Sequence, residues 1–205
     1  ISKQLGKDGN VYRQEYEKLT AAIEKFFWDE EKGAYIDSFT SGKRNVTRHA
    51  NIFAILFDIA DKQKQEKILT NVLENDEIPA ITTPYFNFFE LDVLCQMGKL
   101  TEVLDKIRSY WGGMLDLGAV TFWEEYDPSV PKEEQYDMYG DHFGKSLCHA
   151  WAASPIYFLA KYFAGLDLVN KDGVTYVLKP QMQYFTDLDC TLPVGSDGTV
   201  RLAWD

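Results

Sequence analysis

The chain has 205 residues, enough to bury a sizeable core in one or two domains; 45% are hydrophobic, and twelve Tyr, thirteen Phe and five Trp make it rich in aromatics. A net charge of −11 argues against a nucleic-acid or anionic-membrane partner, and no run of about 18 apolar residues is present to span a bilayer. A neutral ligand such as a sugar stays compatible with both facts, and aromatics serve either as core or as platforms for flat ligands and sugar rings.

The N-terminus, ISKQLGKDGN, lacks the pattern of a signal peptide and an initiator Met, so the chain is expected to be processed or excised from something longer. In VYRQEYEKLTAAIEKFFW, Tyr12, Tyr16, Leu19, Ile23, Phe26 and Phe27 recur at steps of three and four and predict a helix over 11–28. DEEKGAYIDSF follows as a polar turn around Gly33 leading into a short extended piece. TRHANIFAILFDIA predicts a helix over 47–60 that is apolar around most of its circumference, as a helix buried on both sides must be. DKQKQEKILTNVLEN predicts the opposite, an outer helix over 63–75 with the narrow stripe Ile68, Leu69, Val72 and Leu73.

The alternation repeats. TPYFNFFELDVLCQMG predicts an inner helix over 84–97, with Pro84 in its first turn and Gly98 at its end. LTEVLDKIRSYWGG predicts an outer helix over 101–112, with Thr101 a candidate N-cap and Gly112–Gly113 as terminator. An irregular stretch, 114–141, holds TFWEEYDP. HFGKSLCHAWAASPIYFLAKYFAGL then predicts a long apolar helix over 144–164, kinked or joined at Pro155 and stopped by Gly165. Helices that are alternately wrapped in and one-faced suit an α/α toroid; the spacing also suits an α-solenoid, though no repeated consensus is visible.

Beyond Gly165 the period changes to two. GVTYVLKPQ puts Val174, Tyr176 and Leu178 on one face, and GSDGTVRLAWD reads as a turn at Asp197–Gly198 followed by a strand. The expected organisation is therefore residues 1–165 as part of a toroid and 166–205 as a β-rich segment.

Of the three cysteines, Cys95, Cys148 and Cys190, none has CxxC spacing, and their odd number speaks against a disulfide framework. Cys95 and Cys148 fall in apolar stretches and are expected to be buried thiols. The three histidines, His49, His142 and His149, show no metal-ligand spacing; His142 and His149 are seven residues apart. No metal and no cofactor are expected. There is no phosphate-binding glycine loop, and neither Ser146 nor Ser154 sits in a nucleophile elbow.

Glycoside hydrolysis commonly uses two carboxyl groups, one to protonate the leaving oxygen and one to activate water or attack directly. Glu124, in a loop after an aromatic pair, is a candidate for the second role, and Trp123 is a candidate to pack on the apolar face of a sugar. The alternative is that Glu124 and Glu125 form a solvated loop edge anchored by Phe122 and Trp123. His149, on an apolar stretch, is either a satisfied core residue or part of a site.

Taken in order, TPYFNFFELDVLCQMG, TFWEEYDP, GKSLCHAWAASPIYFL and GTVRLAWD resemble the C-terminal half of bacterial α-L-rhamnosidases, the six-hairpin glycosidases of glycoside hydrolase family 78. The resemblance covers nearly the whole chain and is most specific in the T-x-W-E run, Thr121 to Glu124, and the S-L-x-H run, Ser146 to His149. It implies a mainly α, partial (α/α)6 toroid followed by the start of a C-terminal β-sandwich. It implies that Glu124 is the general base of an inverting hydrolysis of terminal α-L-rhamnose, and that His149 lies near the bound sugar; Tyr85 joins His149 and Trp123 as a substrate-binding candidate. The family's general acid lies in a D-x-x-E-R-type segment that is absent from these residues. The resemblance therefore implies a fragment with the base side of the site, inactive alone, with carbohydrate as substrate and with the missing N-terminal half or a second copy as partner. No localisation is read from this chain itself; for a full-length protein of this kind the periplasm or the outside of the cell is the favoured expectation. The competing expectations are a non-catalytic carbohydrate-binding or scaffolding module, and a hydrolase of the same fold for another sugar.

Overall fold

The computed structural model describes residues 2, 5–168 and 175–205, which fall into two compact units, Ile1–Ile81 and Thr82–Asp205. Val174, expected on a strand face, lies outside the described residues.

The first unit opens with helix α1 (Asn10–Phe27), which ends where the two-residue strands β1 (Trp28–Asp29) and β2 (Ala34–Tyr35) pair antiparallel. The apolar stripe of α1 forms as its spacing requires, yet Val11, Tyr12, Leu19 and Phe26 are exposed and no residue of the helix is fully buried within the unit. Asp29 organises the turn between β1 and β2. Its Oδ1 accepts the amides of Glu31 and Lys32, each at 3.0 Å, and its Oδ2 takes the Arg44 guanidinium at 2.6 Å. Burial alone raises the pKa of Asp29; the Lys32 amide, the Arg44 side chain and the Glu31 amide outweigh it and hold the carboxyl below its ordinary value.

Helix α2 (Arg48–Leu56) buries polar residues as well as Ile52, Ala54 and Ile55, and each polar one has work that explains its place. Asn51 reads the backbone of Tyr35 from both sides, accepting its amide at 2.8 Å and donating to its carbonyl at 2.9 Å. Arg48 reaches the carbonyl of Leu73 at 2.8 Å and that of Asn75 at 3.3 Å, satisfying orphan carbonyls at a helix C-terminus. That terminus belongs to α3 (Lys62–Ile68), capped by Asp61 and continued by a π-helical turn, Leu69–Leu73. Ile68, Leu69, Val72 and Leu73 are its buried stripe, as the sequence predicts.

In the second unit α4 (Pro84–Gln96) is buried through Asn87, Glu90, Leu91, Val93, Leu94 and Cys95, the wrapped-in helix its composition requires. Burial pushes the Cys95 thiol up to about 12, so it packs as a small hydrophobe; Cys148, by contrast, is exposed, against expectation. Buried Glu90 is paired with Lys106 at 3.2 Å. Helix α5 (Leu100–Lys106) runs through a π-helical turn, Ile107–Trp111, directly into α6 (Gly112–Asp116). Thr101 is thus inside the helix and not its cap, and the glycine pair does not end it. Gly113 is there for another reason: a Cβ at that position would stand 2.4 Å from the Tyr126 hydroxyl.

The largest departure follows. Residues 144–153 are not helical apart from a 3₁₀ turn, Ala150–Ala152; the helix α7 (Ser154–Phe158) starts at Pro155 in its first turn and ends in a π-helical turn, Leu159–Phe163. Pro155 sits in the first turn of a helix here, consistent with its fixed φ and missing amide. Two antiparallel pairs close the chain, β3 (Leu166–Leu168) with β4 (Tyr176–Leu178), and β5 (Leu188–Val194) with β6 (Gly198–Trp204), the latter joined by a turn over 195–197.

Candidate active site

The irregular region of the second unit is ordered by backbone pairing that local sequence pattern does not reveal. The run Thr121–Glu124 lies beside the run Ser146–His149. The Glu124 amide donates to the Ser146 carbonyl at 2.9 Å, and the His149 amide donates to the Phe122 carbonyl at 2.8 Å. The Thr121 hydroxyl donates to the Leu147 carbonyl. The Ser146 and Leu147 carbonyls and the His149 amide are thus engaged across the loop, which is why the apolar pattern of 144–153 does not become helix.

The Ser146 amide is not used in that ladder. It donates instead to Oε2 of Glu124 at 3.0 Å. Oε1 of the same carboxylate accepts the Tyr139 hydroxyl at 3.1 Å. This hydrogen bond, with the charge behind it, raises the pKa of the phenol. Tyr139 is 82% exposed and has φ of 56°, followed by Gly140 at 81°. Positive φ at both central residues, between the paired Met138 and Asp141, makes a tight reversal of the primed type. A bulky residue in that region is strained, and such strain concentrates at functional sites.

Glu125 points elsewhere, as successive side chains of extended backbone do. Its Oε1 accepts the Thr82 hydroxyl at 2.9 Å, and its Oε2 stands 3.9 Å from the Lys145 ammonium. The Lys145 side chain is only 3% exposed. Burial pulls its pKa down, and the carboxylates of Glu125, Asp127, Asp137 and Glu124 oppose that pull. The loop is tied down further along. The Tyr126 amide donates to the Thr82 carbonyl at 3.1 Å, and buried Gln135 donates to the carbonyls of Asp127 at 2.6 Å and Val130 at 2.8 Å.

The structure gives Trp123 a different place from the one its sequence position suggests. It is 3% exposed, with its ring tilted against Tyr136 at 5.6 Å, so the indole offers no face to a sugar and anchors the loop instead. His149 is partly exposed and its ring lies 6.0 Å from that of Trp151. Tyr85 is exposed on one side and packs on Trp151 at 4.9 Å. Glu124 and His149 are thus brought together through their backbones, with Tyr85 joined to them through Trp151. Sequence reading missed three members: Tyr139, Lys145 and Trp151. Tyr-Gly is not among the usual hairpin-turn dipeptides, and a Trp inside an apolar run reads as core.

Among the described residues no group of three or more His, Cys, Asp or Glu is placed to hold a metal ion, and no helix is long and apolar enough to cross a membrane. A cleft of about 560 Å³, lined by Cys95, Tyr162 and Lys179 among others, includes neither Glu124 nor His149.

Comparison with known proteins gives this geometry its context. The bacterial alpha-L-rhamnosidase six-hairpin glycosidase domain matches residues 1–163. Among solved structures, a rhamnosidase from Klebsiella oxytoca with rhamnose bound is 32% identical, with a TM-score of 0.65 over 74% of this chain and 28% of that one. A family 78 rhamnosidase of Bacillus sp. GL1 is 27% identical, with a TM-score of 0.76 over 91% of this chain and 20% of that one. The chain therefore spans less than a third of the length of either. Comparison with curated proteins gives no match. With mainly helical architecture, short C-terminal sheets and a match over most of its length, the chain belongs to the family of bacterial α-L-rhamnosidases built on the six-hairpin glycosidase domain.

Proposed function

We propose that this chain supplies the general-base side of a glycoside hydrolase site that removes terminal α-L-rhamnose with inversion at the anomeric carbon. The observation that carries the reading is the seating of the Glu124 carboxylate. One oxygen is held by a backbone amide, Ser146, and the other faces the Tyr139 hydroxyl on an exposed turn. A fixed oxygen sets direction. An oxygen whose donor lies at the surface can accept a proton from water.

In an inverting reaction the base takes a proton from a water on one face of the sugar while a carboxylic acid protonates the leaving oxygen on the other. The two carboxyls then stand roughly 6.5–9.5 Å apart, leaving room for that water. Glu125 does not fit the acid role, because its oxygens are directed at Thr82 and Lys145. The sequence holds no D-x-x-E-R-type segment, so we assign the acid to residues outside these 205. Residues 1–165 then form part of the toroid and 166–205 the start of a β-domain. His149 borders the sugar, and Trp123 acts through the loop it anchors.

The test is the anomeric form of the first product. Proton NMR of a full-length polypeptide carrying these residues, turning over an aryl α-L-rhamnoside, should show β-L-rhamnose before mutarotation. Initial release of α-L-rhamnose contradicts inversion and with it the base role of Glu124. Absence of any turnover contradicts the hydrolase reading and favours a binding module.

A further inference from the structure

Trp151 follows His149 by two residues, in the 3₁₀ turn Ala150–Ala152, and it is 66% exposed. Several aromatics of the chain are exposed, Tyr139 and Phe143 among them; what sets Trp151 apart is that it is an open indole held by its neighbours, where Trp111 and Trp123 are buried. The ring is not loose. Its centroid lies 4.9 Å from that of Tyr85, tilted by 41°, and 6.0 Å from the His149 ring at 73°. Tyr85 is itself braced edge-on by Phe86 at 5.3 Å and Phe89 at 5.5 Å.

The backbone on either side of Trp151 is pinned as well. The Phe122 carbonyl holds the His149 amide at 2.8 Å. The Ala152 carbonyl accepts the indole N–H of buried Trp111 at 2.8 Å, and the Ala152 amide donates to the His149 carbonyl at 3.0 Å. A pinned frame thus presents an open aromatic surface two residues beyond His149, whose amide is bonded to the run that carries Glu124.

We propose that Trp151, braced by Tyr85, is the stacking platform of this site, and that its open surface receives the apolar face of a pyranose ring. The inference rests on the proposed base role of Glu124, since it is that role which makes the neighbouring surface a sugar site. The chemistry is direct. The C–H bonds on one face of a pyranose carry slight positive charge, and the face of an indole carries negative charge from its π-system. A surface already fixed in place loses little freedom on binding. Trp123, the aromatic that the sequence puts forward, is buried and cannot serve.

A platform of this kind holds substrate and transition state alike, so it acts on KM and leaves kcat nearly alone. The experiment uses the full-length polypeptide with Trp151→Ala and Trp151→Phe, steady-state kinetics on an aryl α-L-rhamnoside, and calorimetric binding of L-rhamnose. Trp151→Ala is expected to raise KM by about 3–10-fold with kcat changed by less than about twofold. Trp151→Phe should recover most of that loss. Because Trp151 is exposed, its truncation opens no core cavity, and an unchanged melting temperature will verify that both variants fold. A weaker affinity for free L-rhamnose places the platform under the rhamnose ring; an effect on the aryl glycoside alone places it under the leaving group; either result supports a platform. Unchanged KM and unchanged rhamnose affinity in Trp151→Ala overturn the proposal, as does a loss confined to kcat. Glu124→Gln measured alongside separates the two claims. If it abolishes turnover while Trp151→Ala changes nothing, the platform alone is wrong. If Glu124→Gln keeps wild-type kcat, the reading of the site is wrong and the platform falls with it.

Discussion

The amide of Ser146 donates to Oε2 of Glu124 at 3.0 Å, and the amide of Glu124 donates to the carbonyl of Ser146 at 2.9 Å. The two residues therefore hold each other twice, once through backbone and once through the carboxylate. A hydrogen bond to an ionised group is worth about 1.5–3 kcal/mol, so the carboxylate direction does not depend on a side-chain rotamer alone. Every prediction about the site starts from that exchange.

Lys145 precedes Ser146 and is buried beside Glu125. Lys145→Met removes the ammonium that faces Glu125 and frees the segment that delivers the Ser146 amide. A displacement of the reacting group by a fraction of an ångström is enough to slow the reaction; a fall in kcat of about tenfold is expected, with KM little changed. Stability should change by no more than about 1–2 kcal/mol, because an apolar side chain of similar length fills the site and the desolvation of the charge is no longer required. Steady-state kinetics and thermal unfolding of the same variant check both statements. Wild-type kcat in a well-folded Lys145→Met protein contradicts the positioning role.

Trp123 tests which kind of residue it is. As a buried loop anchor, its replacement by Ala should cost about 3–5 kcal/mol of stability, the usual range for emptying a large aromatic site. Denaturant unfolding will measure it. A variant of unaltered stability with a raised KM would restore the sugar-contact reading that its sequence position suggests.

How much of this was legible beforehand differs by element. The helices α1, α2, α3 and α4 begin within a residue or so of where periodicity and Pro84 place them. Their patterns are set by burial on one side or all round, which sequence records directly. The stretch 144–153 was not legible, since GKSLCHAWAA has the apolar content of a helix while its Ser146 and His149 amides are taken by Glu124 and Phe122. Long-range partners overrode local pattern. Gly112–Gly113 reads as a terminator, yet the helix passes through it, and glycine stands at 113 because the space beside it is filled by Tyr126. In the candidate site, the family resemblance singles out the Glu124 and His149 runs, and the structure pairs those two runs through their backbones. Tyr139, Lys145 and Trp151 were not legible, because a strained turn, a buried cation and an open indole are facts of tertiary placement.

Asp29 sets an acid limit on the first unit. Its carboxyl titrates below the ordinary value of 3.8 in the folded chain. The sign follows from linkage: the unfolded chain takes up the proton first, so the stabilisation is complete above 3.8 and is lost as pH falls through the folded value. Asp29→Asn should lower stability by about 1–2 kcal/mol at neutral pH and flatten this dependence in acid. Urea unfolding at a series of pH values reads both effects. An identical acid profile in wild type and variant contradicts the assignment.

The isolated 205 residues should hydrolyse no aryl rhamnoside measurably, because the acid partner is assigned elsewhere. A sensitive fluorogenic assay on the purified chain is sufficient. Robust turnover by the chain alone would show that an acid lies within it, and Glu125 would be the first carboxyl to reconsider.

The most direct measurement compares Glu124→Gln with Glu125→Gln in the full-length polypeptide, on one aryl α-L-rhamnoside at saturating concentration. Glu124 is the carboxylate aimed by Ser146 and Tyr139; Glu125 is the one tied to Thr82 and Lys145. Loss of a general base lowers kcat by about 10²–10⁴-fold, so Glu124→Gln should fall by that much with KM nearly intact. Glu125→Gln keeps an acceptor for Thr82 and loses only a distant charge contact, and its kcat should fall by no more than about tenfold. If Glu125→Gln is the more damaging change, or if both glutamines leave kcat near wild type, the base has been placed on the wrong residue.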